Sequence, residues 1–229
     1  MRVAQEGNKL IISSGMSQVF IEPWGKNSLR VRMTGEPVMD GHNWALTEEV
    51  EKCTPEVTVR ELDITDPWYQ GEEWAKYHMT GKEYTMINGK ITVKINPEGW
   101  LSFYNQRGEL LTAEYWRNRN RINRYAVPIG VAGRELKPIT GTSDFALTAR
   151  FEAYDDEKIY GMGQYQEKNL NKKGAVLELE HRNSQASVPF MVSSRGYGFF
   201  WNNPAIGTVT FGANKTEWHA RSTKKMDYF

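Results

Sequence analysis

The sequence has a single cysteine, Cys53, among its 229 residues, so no disulfide bond can form within the chain. This cysteine usage suits a reducing compartment. The sequence also lacks an apolar run near the ~18 residues that a membrane helix needs, and its N-terminus lacks the apolar core of a secretory signal. We therefore expect a cytoplasmic protein with no membrane partner.

The sequence also lacks an excess of either charge, because 29 lysines and arginines are balanced by 28 aspartates and glutamates. Proteins that bind nucleic acids through phosphates usually carry a strong basic excess. One basic run, EYWRNRNRINR at residues 114–124, has the interleaved aromatics of an RNA-binding patch. The overall neutrality favours a solvated loop there, and we expect no nucleic-acid partner.

Helical periodicity is absent too, since no segment repeats apolar residues at i, i+3, i+4 and i+7 over three turns. The sequence instead contains many short alternating or apolar runs separated by turn residues, such as KLIIS, SQVFIEP and DFALTARFEA. This pattern predicts an all-β chain built as two packed antiparallel sheets or a barrel.

A β-hairpin is the clearest local prediction. In TMINGKITVKI, Asn88-Gly89 stands between two β-prone runs. This dipeptide supplies the positive φ angles that a type I′ turn demands. We therefore predict a hairpin with Asn88-Gly89 at its turn, followed by further antiparallel strands.

Motifs for metals and cofactors are missing. The histidines, His42, His78, His181 and His219, lack the spacing of a zinc site, and there is no P-loop. Gly161-Met162-Gly163 lacks the third glycine and the helix of a dinucleotide fingerprint, so we interpret both glycines as turn residues. We expect no metal and no cofactor.

A catalytic pair of carboxylates is not evident either. In retaining glycosidases two acids flank the scissile bond at ~5–5.5 Å. Asp155-Asp156-Glu157 offers adjacent acids, but consecutive residues of a turn point in different directions. We interpret this run as a solvated turn that leads into the strand KIY, and we predict no catalytic residue in the chain.

A set of sequence blocks in the last third carries a family resemblance. The blocks are IYGMGQ (159–164), LNKKG (170–174), RN (182–183), VPF (188–190), SSRGYG (193–198) and WNNP (201–204). In this order and spacing, the segment Lys158 to Phe229 resembles the end of the N-terminal β-sandwich of glycoside hydrolase family 31, the α-glucosidase and α-xylosidase family. The earlier strands resemble the same domain, most weakly between about Gly35 and Glu83.

The resemblance implies a large antiparallel β-sandwich of the galactose-mutarotase type, with few or no long helices, over residues 1–229. In the family, the catalytic aspartates lie on a (β/α)₈ barrel that follows the sandwich. This sequence has no such catalytic setting, and it ends about where the family's sandwich finishes. We therefore expect a non-catalytic N-terminal domain of a retaining, exo-acting α-glycosidase, inactive alone, whose barrel lies downstream and outside this chain.

The resemblance also implies a substrate-binding loop. In several members a T-R-D or N-R-D triplet on this loop binds sugar hydroxyls, and the matching triplet here is His181-Arg182-Asn183. Asn183 replaces the aspartate, so it keeps hydrogen bonding without charge. The implied substrate-binding residues for an α-linked glucoside or xyloside are Asn183, Arg182, which could support the loop by pairing with a carboxylate, and Gln185, which could face the pocket. The alternative is a plain polar connection between strands.

The aromatic residues in and beside these sequence blocks are typical of packed positions. We interpret Trp201, Phe199, Phe200 and Phe211 as core or interdomain residues rather than sugar platforms. Pro189 is expected to open its strand, and Gly196 and Gly198 to form a hairpin turn. If the barrel covers part of this surface, the isolated domain should expose an apolar patch and could self-associate.

Two other functions remain open. One is a free-standing carbohydrate-binding or lectin-like sandwich that stacks exposed aromatics on sugars. The other is an aldose-epimerase-like enzyme, which rests on fold analogy alone. That enzyme would need a catalytic histidine and glutamate at one site, and neither His78 nor His181 has a recognisable setting for it.

Overall fold

The computed structural model describes residues 2–43, 45–46, 53–65, 78–115, 117–118, 130–131 and 133–229. These described residues form twenty β-strands and no helix, so none of them belongs to a helix long enough to span a membrane. In the basic run at 114–124, Glu114 is buried and Arg117–Asn118 form a strand, so the prediction of a solvated loop is wrong for these residues. The rest of the run, apart from Tyr115, lies outside the described residues, and there the interpretation stays a prediction.

The strands, numbered in chain order, form antiparallel sheets. The first sheet contains β1 (Arg2–Glu6), β2 (Lys9–Ser14), β3 (Ser17–Trp24), β4 (Ser28–Thr34) and, from the other end of the chain, β20 (Lys225–Tyr228). The second contains β5 (Glu56–Thr65), β6 (His78–Asn88), β7 (Ile91–Ile95), β8 (Leu101–Asn105) and β9 (Leu110–Ala113).

The remaining sheets come from the C-terminal half. One has the spatial order β12 (Arg134–Pro138), β13 (Phe145–Glu152), β19 (Lys215–Thr223), β18 (Gly207–Phe211) and β15 (Val176–Leu179). A three-stranded sheet has the order β14 (Ile159–Gln164), β16 (Ala186–Ser193) and β17 (Tyr197–Phe200). A short pair joins β10 (Arg117–Asn118) and β11 (Gly130–Val131).

One apolar core joins these sheets. Strand alternation sends every second residue inward, as in β13, where Leu147, Ala149 and Phe151 are buried. At its centre, the Phe199 ring stacks on Trp218 and on Tyr228, with centroids 5.0 Å apart in both pairs. The predicted all-β chain of packed antiparallel sheets is thus confirmed.

The aromatic residues predicted to pack do so. Trp201, Phe199 and Phe211 are buried in the core. Phe200 is half-buried and stacks on Phe229, with centroids 5.9 Å apart. The alternating orientation of neighbouring residues in a strand explains why Phe200 differs from Phe199 and Trp201.

The hairpin after β6 is confirmed, but the predicted type I′ turn is wrong. Asn88 is the last residue of β6 and pairs with Ile91, so the two turn residues are Gly89 and Lys90. Only Gly89 has a positive φ, of 60°, which is the pattern of a type II′ turn. Asn88 instead donates hydrogen bonds from its buried side-chain amide to Gly25 O and Ser28 O, and so ties two sheets together.

A bulge between β14 and β16 corrects two predictions. Gly161 pairs with Met191 and Gly163 with Ser187, so the register shifts across Met162. The glycines are therefore strand residues at a bulge rather than turn residues, although both have the positive φ, 95° and 88°, that favours glycine. Pro189 lies inside β16, opposite this interruption, instead of opening the strand, because a bulge tolerates a residue without an N–H group.

The turn between β16 and β17 partly matches its prediction. Gly196 lies in the turn with a φ of 88°. Gly198 lies in β17, without a positive φ, so its assignment to the turn is wrong. A Cβ atom on Gly198 would lie 3.0 Å from the Phe190 ring, so a larger residue there would require the ring to shift.

The acidic run is also not wholly solvated as predicted. Asp155 and Asp156 are exposed, but Glu157 is buried. Its Oε1 accepts hydrogen bonds from Ser193 Oγ at 2.5 Å and Tyr197 Oη at 2.9 Å. Burial raises the pKa of Tyr197, and the Glu157 carboxylate raises it further. Glu157 therefore holds the β16–β17 hairpin, and sequence reasoning missed it because its partners lie far along the chain.

Candidate functional site

The predicted triplet lies on the short connection between β15 and β16. Gln185 N donates a hydrogen bond to Arg182 O at 3.0 Å, and Arg182 and Gln185 form an isolated antiparallel bridge. Asn183 and Ser184 are therefore the central residues of a tight turn, and Ser184 has a φ of 66°, as the third position of a type II turn requires. This geometry puts Asn183 at an exposed tip.

Arg182 anchors the turn to the residues that precede it. Its guanidinium forms ion pairs with Glu180 and, at 2.6 Å, with Glu178 of β15. The hydrogen bond with Glu180 raises the pKa of Arg182. The predicted pairing of Arg182 with a carboxylate is confirmed, and it turns the guanidinium toward β15.

Tyr165 and His181 each form hydrogen bonds beside the turn, one on either side of it. The sequence did not predict these contacts. Tyr165 Oη donates to Glu178 O at 2.8 Å and lies 2.9 Å from Ser187 Oγ. Burial raises the pKa of the Tyr165 phenol. On the other side, Ser187 N donates to His181 Nδ1 at 3.3 Å. The only local signal for Tyr165 is its place directly after IYGMGQ.

The turn thus brings the three predicted site residues together in one short segment. Within the described part of the chain, the Asn183 amide makes no hydrogen bond, so its donor and its acceptor are both available. Gln185 is half-buried beside it. Carbohydrate hydroxyls both donate and accept hydrogen bonds, and an amide matches this property without carrying charge.

A groove of about 510 Å³ runs beside the turn. His181 and Ser187 line it from the turn, and Val188, Phe200 and Asn202 continue it along the sheet. Its mixed apolar and polar walls suit a neutral polar ligand or a packed protein segment better than an ion. In the residues that the structure describes, no cluster of histidine, cysteine, aspartate or glutamate could hold a metal ion.

Comparison with known families agrees with this architecture. Residues 18–209 match the family described as glycosyl hydrolase 31 N-terminal galactose mutarotase-like domain. The match includes the bulge of β14, the turn with Asn183 and all of β16.

Individual relatives extend the comparison over nearly the whole chain. The chain is 44% identical to an uncharacterized family 31 glucosidase of Pseudescherichia vulneris over 91% of its own length and 37% of the relative. It is 31% identical to alpha-xylosidase A of Aspergillus niger, over 98% of the chain and 29% of that protein.

A solved structure is similar as well. The crystal structure of a GH31 alpha-xylosidase from a soil metagenome, complexed with xylose, superimposes with a TM-score of 0.83 at 45% identity. It covers 100% of this chain, which in turn covers 32% of that protein. The chain therefore spans about a third of the length of these relatives.

Proposed function

Because the chain belongs to glycoside hydrolase family 31, as its N-terminal galactose mutarotase-like domain, we propose that it is the non-catalytic part of a retaining, exo-acting α-glycosidase. The observation that carries this proposal is the turn at residues 182–185, held by the ion pairs of Arg182, whose tip presents an Asn183 amide without a hydrogen-bond partner among the described residues. In the proposed enzyme, the turn forms one side of the substrate pocket, and a downstream (β/α)₈ barrel forms the rest and supplies the catalytic carboxylates.

The relative lengths support a downstream catalytic part. Similar proteins called glucosidase and xylosidase are about three times as long as the aligned segment, so most of each relative lies outside this domain. Retaining hydrolysis needs two carboxyl groups at the scissile bond. Glu157 is a buried carboxylate, but it accepts hydrogen bonds from Ser193 and Tyr197 and so holds the β16–β17 hairpin instead.

The proposed substrate is an α-linked xyloside or glucoside. The xyloside is favoured by the solved alpha-xylosidase at 45% identity, which holds xylose. Asn183 would donate to one sugar hydroxyl and accept from another, while Arg182 would hold the turn and Gln185 would face the pocket. No cofactor is part of this reaction, and a cytoplasmic location, which suits the single cysteine, belongs to the same proposal.

The function is tested by comparing two proteins on nitrophenyl α-xyloside and nitrophenyl α-glucoside. The longer polypeptide encoded by the reading frame should hydrolyse at least one of them, and residues 1–229 alone should hydrolyse neither. Turnover by residues 1–229, or no turnover of either compound by the longer protein, would overturn the proposal.

The role of Asn183 is tested in the longer enzyme by Asn183→Ala. Loss of one or two hydrogen bonds to sugar should lower kcat/KM by about tenfold, since each bond contributes ~0.5–1.5 kcal/mol. Asn214→Ala, at an exposed turn between β18 and β19, is the matched control and should leave kcat/KM unchanged. Equal kinetics for the two variants would remove Asn183 from the site.

The alternative, a free-standing sugar-binding module, makes the opposite prediction for the isolated chain. It is suggested by Tyr160 and Phe190, aromatic residues that are exposed on one sheet. Calorimetric titration of residues 1–229 with maltose, isomaltose and a xyloside separates the two functions. Tight binding would favour the free-standing module, because one side of a pocket should bind sugar weakly or not at all.

A further inference from the structure

Strand β16 is apolar on both of its faces, although only one face meets the core. Met191 points inward and is 3% exposed. On the opposite face, Val188, Phe190 and Val192 are 50%, 43% and 45% exposed. A continuous apolar run such as VPFMV is typical of a strand that is covered on both sides.

Neighbouring strands extend the apolar surface. Tyr160 of β14 pairs with Val192, and Phe200 of β17 pairs with Phe190. Gly198 pairs with Val192 and leaves room for the Phe190 ring, which a Cβ atom would approach to 3.0 Å. We call this surface the outer face, and it consists of Tyr160, Val188, Phe190, Val192, Gly198 and Phe200.

The outer face is continuous with the candidate site. β16 begins at Ala186, directly after the turn that presents Asn183. Val188 and Phe200 line the groove that His181 also lines. At the other end, Phe190 and Phe200 line a second groove of about 540 Å³, together with Phe229.

We propose that the outer face is the surface on which the downstream catalytic part of the same polypeptide packs. This inference rests on the proposed function, and it names the surface that joins the two parts. The relatives have about two thirds of their length outside this domain, and the last residue, Phe229, lies in a groove at the edge of the outer face. A polypeptide that continues from Phe229 therefore starts beside the surface that needs a cover.

Packing on the outer face would also position the turn. Val188 follows Asn183 by five positions in the sequence and lies in β16, the strand that the turn leads into. A barrel seated on Val188 and Phe190 would therefore hold the Asn183 amide at a fixed place over its own pocket.

The test measures thiol protection in the longer polypeptide. Val188→Cys and Val192→Cys are made separately in a Cys53→Ser background, and labelling by a maleimide is followed by peptide mass mapping, so that any downstream cysteine is counted separately. Val59→Cys is the matched control, because Val59 is a strand valine of β5 with 53% exposure. We expect both outer-face thiols to react at least tenfold more slowly than the control, and all three to react equally in urea.

Each outcome supports or overturns the inference. Equal labelling of Val192→Cys, Val188→Cys and Val59→Cys in an enzyme that hydrolyses α-xyloside would overturn the inference and leave the proposed function standing. Protection that disappears on dilution would assign the outer face to a second copy of the chain, and would also overturn it. Concentration-independent protection in a protein without glycosidase activity would support the packing and remove the proposed function.

Discussion

At the scale of single residues, Asp227 is a fully buried charge that side-chain hydrogen bonds hold in place. Its carboxylate accepts two hydrogen bonds from Arg30, at 2.9 and 2.6 Å, and one from Asn202 Nδ2 at 2.8 Å. All three residues are buried, and the Arg30 guanidinium lies over the Trp24 ring. This network gives Asn202, part of the WNNP block, a structural role.

Replacing Asp227 should therefore lower the free energy of unfolding far more than the loss of a surface ion pair would. Asp227→Ala leaves the Arg30 charge buried without its partner, and we expect the free energy of unfolding to fall by ~3–5 kcal/mol. Urea unfolding followed by tryptophan fluorescence measures the change.

The double variant Arg30→Met/Asp227→Leu is the control for this prediction. It removes both charges and keeps apolar volume, so it should cost less than half as much as Asp227→Ala. A double variant as unstable as the single one would show that shape, rather than an unpaired charge, is decisive at this position.

At the scale of elements, the bulge between β14 and β16 adjoins the end of the candidate turn, because Gly163 and Gln164 pair with Ser187 and Ala186. Gly161, Met162 and Gly163 all have positive φ, and Met162 is a fully buried side chain in this conformation. A Cβ atom on Gly163 would lie 2.1 Å from Ala186 O, at the first residue of β16. The close approach of the two backbones thus depends on glycine.

Gly163→Ala and Gly174→Ala separate this steric effect from backbone strain. Their φ angles are 88° and 87°, but a Cβ atom on Gly174 would have no atom of the described residues within 4 Å. Gly174→Ala should lower the unfolding free energy by ~1–2 kcal/mol, the cost of a left-handed conformation. Gly163→Ala should cost more, because the backbone of β16 has to move, and chemical denaturation measures both.

The effect on the turn provides a second measurement. In the longer enzyme, Gly163→Ala should also lower kcat/KM, because Ala186 adjoins the turn, whereas Gly174→Ala should not. Equal stability losses in the two variants would contradict the steric argument.

The sequence predicts elements well where the signal is local. Alternation in DFALTARFEA predicts β13, and Asn88-Gly89 predicts a hairpin, because both patterns act through neighbouring residues. The roles of Pro189 and Glu157 could not be predicted, since they depend on which strand lies opposite and at what register. The residues of the candidate site came from a family resemblance, and their support by Tyr165 is again a long-range contact.

At the scale of the whole molecule, the last strand of the chain completes the N-terminal sheet. β20 pairs with β4, from Lys225 opposite Thr34 to Tyr228 opposite Val31. Tyr228 also stacks on Phe199 and contacts the edge of Phe151, so the last strand joins the N-terminal sheet to the core of the C-terminal half. The first sheet is therefore incomplete until nearly the whole chain is present.

Removal of residues 225–229 should consequently abolish cooperative folding of residues 1–229. The deletion removes Met226 and Tyr228 from the core and leaves Arg30 without Asp227, and these losses together are comparable to the whole stability of a typical domain, about 5–15 kcal/mol. Thermal unfolding followed by near-ultraviolet circular dichroism should show no transition. Removal of residues 1–6 is the matched control, because β1 is an edge strand without a fully buried residue, and it should lower Tm by only a few degrees. A sharp transition in the chain that lacks residues 225–229 would contradict this prediction. It would show that the N-terminal sheet folds without β20, and that the pairing of β20 with β4 is not required for cooperative folding.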